Sequence, residues 1–221
     1  MEKFRVTLTG KMPLLLHADN IEWADMLEAW KKDPNMRTKG RAGDDRTPAW
    51  RWIGSAYTDG KQLVIPSDNL MVAFREGGAL VNTGKGKKTY KAQTQSGAMV
   101  VEPSWPILVG GKSIPYAPIK ALTEEEDFNV HQQRANELGF VLSIKRAKIG
   151  FSKHIRVRPR IDTPWSISGT IQVWDDTLTE DVLRVVWTQA GLYKGLCDWR
   201  PGSKTPGQYG TFEAEIARIK G

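Results

Sequence analysis

Residues 145–174 contain two runs in which apolar and polar side chains alternate one by one. In the second run Trp165, Ile167, Gly169, Ile171 and Val173 alternate with Ser166, Ser168, Thr170 and Gln172. In the first, Ile155, Val157 and Pro159 alternate with Arg156, Arg158 and Arg160. A period of two is the signature of a strand with one buried and one open face. The chain must therefore build a sheet with a covered side, and one of its strands must carry a row of guanidiniums on the other side.

Lys145 to Arg160 holds seven Lys/Arg and no acid. Alternate residues on a strand stand about 6–7 Å apart, close to the spacing of phosphates along an extended single strand. Like charges so placed repel unless an anion joins them, so the expectation is a surface for a polyanion. The bland alternative is the solvated outer face of a sheet. The whole chain agrees in sign: its 221 residues carry a formal net charge of +7, which favours anionic partners.

Hydrophobic residues make up 40% of the chain, enough for a proper core, and nine tryptophans imply that some sit at surfaces or interfaces. The single cysteine, Cys197, excludes a disulfide framework and a cysteine-rich zinc site and fits a reducing compartment. The opening residues lack the apolar core of a signal peptide, and the run Met12 to Leu16 is far short of a membrane span. A cytoplasmic protein with no membrane contact is expected.

Phe4, Val6 and Leu8 predict an opening strand. Ile21 to Lys31 reads as a helix capped by Asp19 or Asn20. Residues 34–46 are polar, basic and aperiodic, and read as a mobile loop. Thr47-Pro48 reads as an N-cap with proline at the first helical position. Gln62 to Ile65 reads as a strand and Asp68 to Ala79 as a helix capped by Ser67, followed by a second basic loop at 82–96. Residues 124–138 fit either a helix or an acidic loop. Phe140 to Ile144 should pair with Ile155 to Arg160 through a turn at Gly150. Thr177 to Glu180 reads as a capping box for a helix ended by Gly191, and Thr211 to Ile219 as the last strand. This order fits an α+β fold: a ferredoxin-like, RRM-like core over residues 1–221, with long inserted loops and a β-hairpin. The insertions are 18–60, helical and looped, and 82–138.

Three short motifs resemble the RAMP superfamily of CRISPR effector proteins. One is the glycine loop before the last strand, Gly202, Gly207, Gly210 and Phe212, with one spacing shifted. It also has Walker-A spacing at Gly202 and Gly207, but Gln208-Tyr209 replaces the Lys-Ser/Thr pair, so a P-loop is rejected. The second is Val64-Ile65-Pro66-Ser67 leading to Leu70, Phe74 and Arg75. The third is the opening Leu8 to Leu15, which resembles the backbone-subunit branch; Asp198 to Phe212 is also similar to short phage-encoded relatives. The resemblance implies an RRM-like core that binds guide RNA along basic strands, polymerises on it, and uses a protruding hairpin to kink it. It implies as partners the guide RNA, the complementary target strand, copies of this chain and other effector subunits in antiviral defence.

The residues expected to bind nucleic acid are Lys145, Lys148, Lys153, His154, Arg156, Arg158 and Arg160 in the basic run. In the loops they are Arg37, Lys39, Arg41, Lys85, Lys87, Lys88, Lys91 and Lys204, with Arg75 on a helix. Tyr90, Trp50, Trp52 and Tyr209 could stack on bases, ordinary core packing being the alternative for the tryptophans. His17 reads as a partly buried, satisfied histidine. No cofactor, metal site or catalytic residue is expected. The alternatives are a phage-type protein that coats or anneals single-stranded DNA, and a RAMP-type endoribonuclease using His154 or a loop aspartate among Asp33, Asp44 and Asp45.

Overall fold

The alternation at the start of the chain folds as β1 (Glu2–Gly10), with Phe4, Val6 and Leu8 buried and Lys3, Arg5 and Thr9 exposed. The computed structural model describes residues 1–36, 38–149 and 152–220, so Arg37 and the expected turn at Gly150 lie outside the described residues. It continues with β2 (Leu14–Leu15), α1 (Ile21–Lys32), a 3-10 helix at Ala49–Ser55, β3 (Val64–Pro66), α2 (Ser67–Gly78) and α3 (Lys91–Ser96). Short strands follow: β4 (Ala98–Val100), β5 (Ser104–Pro106), β6 (Leu108–Val109) and β7 (Lys112–Ser113). Then come α4 (Ala117–Lys120), a 3-10 turn at Ala121–Glu124, α5 (Phe128–Glu137), β8 (Val141–Ile149), β9 (Ser152–Ile161), β10 (Trp165–Val173), α6 (Glu180–Tyr193) and β11 (Phe212–Arg218). The fold is α+β with antiparallel sheets.

The chain divides into two compact units, neither of them a continuous stretch. One holds Met1–Leu14, Val64–Ser113 and Asp162–Gly221; the other holds Leu15–Leu63 and Ile114–Ile161.

In the first unit β11, β1 and β10 lie side by side, and β4 and β6 pair with the far edge of β10, all antiparallel. In chain order α2 falls between β1 and β4, and α6 between β10 and β11. The two helices pack together closely, so that a side chain on Gly77 would collide with the Val186 carbonyl. Trp187 anchors the core, its ring 5.1 Å from Phe74, 6.3 Å from Phe212 and 6.4 Å from Trp105, and all four are fully buried. A buried side chain of this size contributes about 1.5–3 kcal/mol over an exposed one. The outer positions of β1 and β10 are polar, and Thr7 and Ser168 join hydroxyls across them at 3.0 Å.

In the second unit β8 and β9 form a hairpin in register from Val141 opposite Arg160 to Lys148 opposite Lys153, with β2 beside β9. Its core gathers Leu142, Val157, Ile161, Phe140 and Trp52. The Trp52 ring lies 5.7 Å from Phe140, and its Nε1 donates to His131 Nδ1 at 3.0 Å. That bond leaves Nδ1 as acceptor, so Nε2 carries the proton and donates to the Glu125 carbonyl at 3.0 Å.

Several local expectations are corrected. Thr47-Pro48 is a cis peptide, and the 3-10 helix starts after Pro48 with no side-chain cap. The cap of α6 is Thr179, which accepts from the Val182 N–H, while Thr177 binds Asp175 instead. Gly191 does not stop α6. It lies inside the helix, where any side chain would strike Phe212. The end of the second basic loop is helical, as α3, and residues 128–137 resolve as helix, capped by Asp127.

Candidate nucleic-acid interface

Residues directly opposite each other in an antiparallel pair share a face. His154, Arg156, Arg158 and Arg160 stand opposite Ala147, Lys145, Ser143 and Val141, so the three alternating arginines of the basic run and Lys145 lie on one face of the hairpin. Lys148 and Lys153 oppose each other on the other face, together with Arg146. Towards its base β9 buries Val157, Pro159 and Ile161. Towards its tip Arg146, Lys148, Ser152 and Lys153 are exposed, and Lys145 and His154 are half-buried.

The arginine face is not the open row the alternation implied. Arg156, Arg158 and Arg160 are each half-buried. Asp45 approaches Nη1 of Arg156 at 3.1 Å and Nη1 of Arg51 at 3.0 Å. Asp44 takes the neighbouring Arg46 at 2.6–3.2 Å, and that hydrogen bond holds its carboxyl below the usual range against the opposing effect of burial. Both aspartates arrive because residues 43–45 run beside β9. The Ile155 N–H donates to the Gly43 carbonyl at 2.7 Å, and the Asp45 N–H donates to the Ile155 carbonyl at 3.0 Å. The stretch read as a mobile loop is thus tied to a strand at its C-terminal end. For Arg156 the joining anion is internal. Arg158 has its pKa lowered by burial and by the Arg156 charge.

Beneath this face lies a cleft of about 450 Å³ between α1, residues 40–43, the 3-10 helix and β9. Trp30, Lys31, Arg41, Arg51, His154 and Arg156 line it, and none of its described lining residues is acidic. Gly43, with φ +77°, brings the loop backbone against His154, where a Cβ would sit 2.5 Å from Nδ1. Lys39 and Arg41 of the same loop are exposed, and Lys39 reaches Glu126 at 3.2 Å. Trp30, Lys31 and Arg51 were not among the expected binders. Trp30 showed only as an apolar position of a helix, and Arg51 is masked in the sequence by the tryptophans on either side.

The first unit holds the other expected residues. Lys85, Lys87 and Lys88 are exposed on a turn closed by the Thr83 N–H donating to the Lys88 carbonyl at 2.9 Å, and Lys91 opens α3. Lys85, Lys88, Tyr90 and Lys91 border a second cleft of about 630 Å³. Arg75 is half-buried in the last turn of α2, and Lys204 is exposed. The Tyr209 ring is stacked on Trp199 at 5.7 Å. The glycine loop closes on itself. Gly207 packs against Trp199 and Gly210, with φ +70°, against the Leu196 carbonyl, so the backbone these glycines approach is the chain's own. Of the aromatics expected to stack on bases, Trp52 is only 1% exposed and serves the core. Trp50 is half-buried, 5.7 Å from Trp23.

His17 is more exposed than its place after an apolar run suggests. The Cys197 thiol is pushed up to about 12 by burial, which makes it a poor nucleophile. Among the described residues no group of three or more His, Cys, Asp or Glu could hold a metal ion, and no helix is long and apolar enough to cross a membrane. Of the loop aspartates, Asp44 and Asp45 are engaged by arginines and Asp33 accepts from the Asn35 N–H at 2.8 Å. The chain matches no known protein family and no curated protein.

Proposed function

We propose that this chain binds single-stranded nucleic acid through the β8–β9 hairpin, as a non-catalytic subunit that assembles along a guide RNA in a RAMP-type effector. The observation that carries the reading is the hairpin tip. There Arg146, Lys148 and Lys153 are exposed together on one face, while Lys145 and His154 flank the other. Clustered cations lose their mutual repulsion when phosphates enter, and each phosphate contact releases condensed counterions.

The order β11-β1-β10-β4, with α2 and α6 as the two crossover helices, supports reading the first unit as a ferredoxin-like, RRM-like core. That arrangement agrees with the resemblance to the RAMP backbone branch. In this reading the partners are the guide RNA, a complementary target strand, further copies of the chain and other effector subunits.

The test is fluorescence anisotropy with a labelled single-stranded RNA and with DNA of the same sequence. The wild-type protein should bind with an affinity that falls linearly in log salt. The triple variant Arg146→Glu, Lys148→Glu, Lys153→Glu should bind roughly 10- to 100-fold more weakly. Equal affinity of the triple variant, or wild-type binding without salt dependence, overturns the reading. A clear preference for DNA would turn it toward a strand-coating protein.

A further inference from the structure

We infer that the cleft lined by Trp30, Arg41, Arg51 and Arg156 holds one nucleotide of the bound strand, with its base against the Trp30 indole and its phosphate among the guanidiniums. This deepens the proposed function and rests on it.

Two features select this ligand class. The first is charge. Arg51 and Arg156 share the single carboxylate of Asp45, so the pair keeps one net positive charge. The exposed Arg41 adds to it, while Lys31 is joined to Glu28 at 2.7 Å, and no acid is among the described lining residues. A site of that sign and with several N–H donors suits a phosphate. The second is shape. The half-buried Trp30 stands on α1 at the wall of the cleft, with Leu27 one turn before it. Gly40 lies close beside the indole, where a Cβ would come within 3.1 Å of the ring, so the loop can pass without a side chain crowding it. The volume of about 450 Å³ lies within the range of small-molecule pockets, about 300–1,000 Å³. A flat apolar wall beside a cationic one fits a molecule with a flat ring and an anionic group. An isolated inorganic anion would use only the cationic half, and an acidic peptide would leave the indole without a planar partner.

Stacking and charge make separable predictions. Trp30→Ala should weaken binding of the single-stranded RNA roughly 5- to 150-fold with an unchanged log–log salt slope, because stacking releases no counterion. Trp30→Phe should restore most of that loss. Arg41→Gln should reduce the salt slope by about one. Photocrosslinking of the wild-type protein to RNA carrying 5-iodouracil should place the adduct on the peptide that contains Trp30. Wild-type binding with an undiminished Trp30→Ala variant, or an adduct mapped only to other peptides, overturns this inference and leaves the hairpin reading standing. Failure of the wild-type protein to bind RNA at all overturns both. The crosslink decides the matter even if Trp30→Ala proves unstable, since it needs no variant.

Discussion

The carboxylate of Asp45 lies 3.1 Å from Nη1 of Arg156, and the same carboxylate reaches Arg51 at 3.0 Å. Asp45 and Arg156 are 111 residues apart in the chain. The contact explains how a strand can carry arginines at three alternate positions without a ligand. Arg156 has an internal anion, delivered by the backbone ladder between residues 43–45 and Ile155. Towards the tip of the hairpin Arg146, Lys148 and Lys153 are exposed.

Replacing Asp45 with Asn should therefore act in two ways. It leaves two guanidiniums, 26% and 29% exposed, without their carboxylate, and should lower stability by about 1–3 kcal/mol. Urea denaturation reads this as a lower midpoint at constant slope. The substitution also adds a net positive charge beside the hairpin, and should steepen the log–log salt dependence of RNA binding by up to about one. An unchanged midpoint would mean that the pair behaves as an ordinary solvated ion pair.

The bond from Trp52 to His131 is inside the core, with both side chains buried. Trp52→Phe keeps an aromatic ring next to Phe140 but removes the donor, leaving His131 Nδ1 without its partner. The loss should be about 1–3 kcal/mol from the unpaired acceptor, with a further cost from the smaller ring. Chemical denaturation compared with Trp50→Phe, at a half-buried site, checks it. Equal effects of the two substitutions would count against a special role for the bond.

His17 gives the second unit a pH dependence with a definite sign. Although the residue as a whole is exposed, partial desolvation of its imidazole lowers the pKa below 6.5; Arg158 and Arg156 lower it further, against smaller opposing effects of Asp19 and Asp45. As pH falls past the unfolded value, the unfolded chain takes up a proton that the folded chain refuses. Stability is then full above about pH 6.5 and declines as pH drops towards the folded value. The urea midpoint should fall between about pH 7.5 and 5.5, and less so in His17→Gln. Asp44, whose carboxyl is held low, adds its own loss only in the more acidic range where carboxylates titrate. A wild-type midpoint flat across the upper window would rule out the His17 contribution.

What the sequence determined by itself is what neighbouring residues decide among themselves. Alternation at Phe4, Val6 and Leu8, at Ile155 to Arg160 and at Trp165 to Val173 became β1, β9 and β10, because side-chain period and strand geometry are the same local fact. Asn20 caps α1 through its own side chain, and β8 folds back on β9 across a short connection. Even here one local reading failed: Thr179 rather than Thr177 caps α6. Tertiary structure alone decided which charges stay open. Whether an arginine faces solvent or Asp45, and whether a tryptophan is core like Trp52 or a cleft wall like Trp30, depends on which distant segment covers it. Bringing such segments together costs chain entropy that grows only slowly with loop length, so the distance between them in sequence leaves no trace to read. The row of arginines was legible in the chain. Its counterion became visible only once residues 43–45 lay against β9.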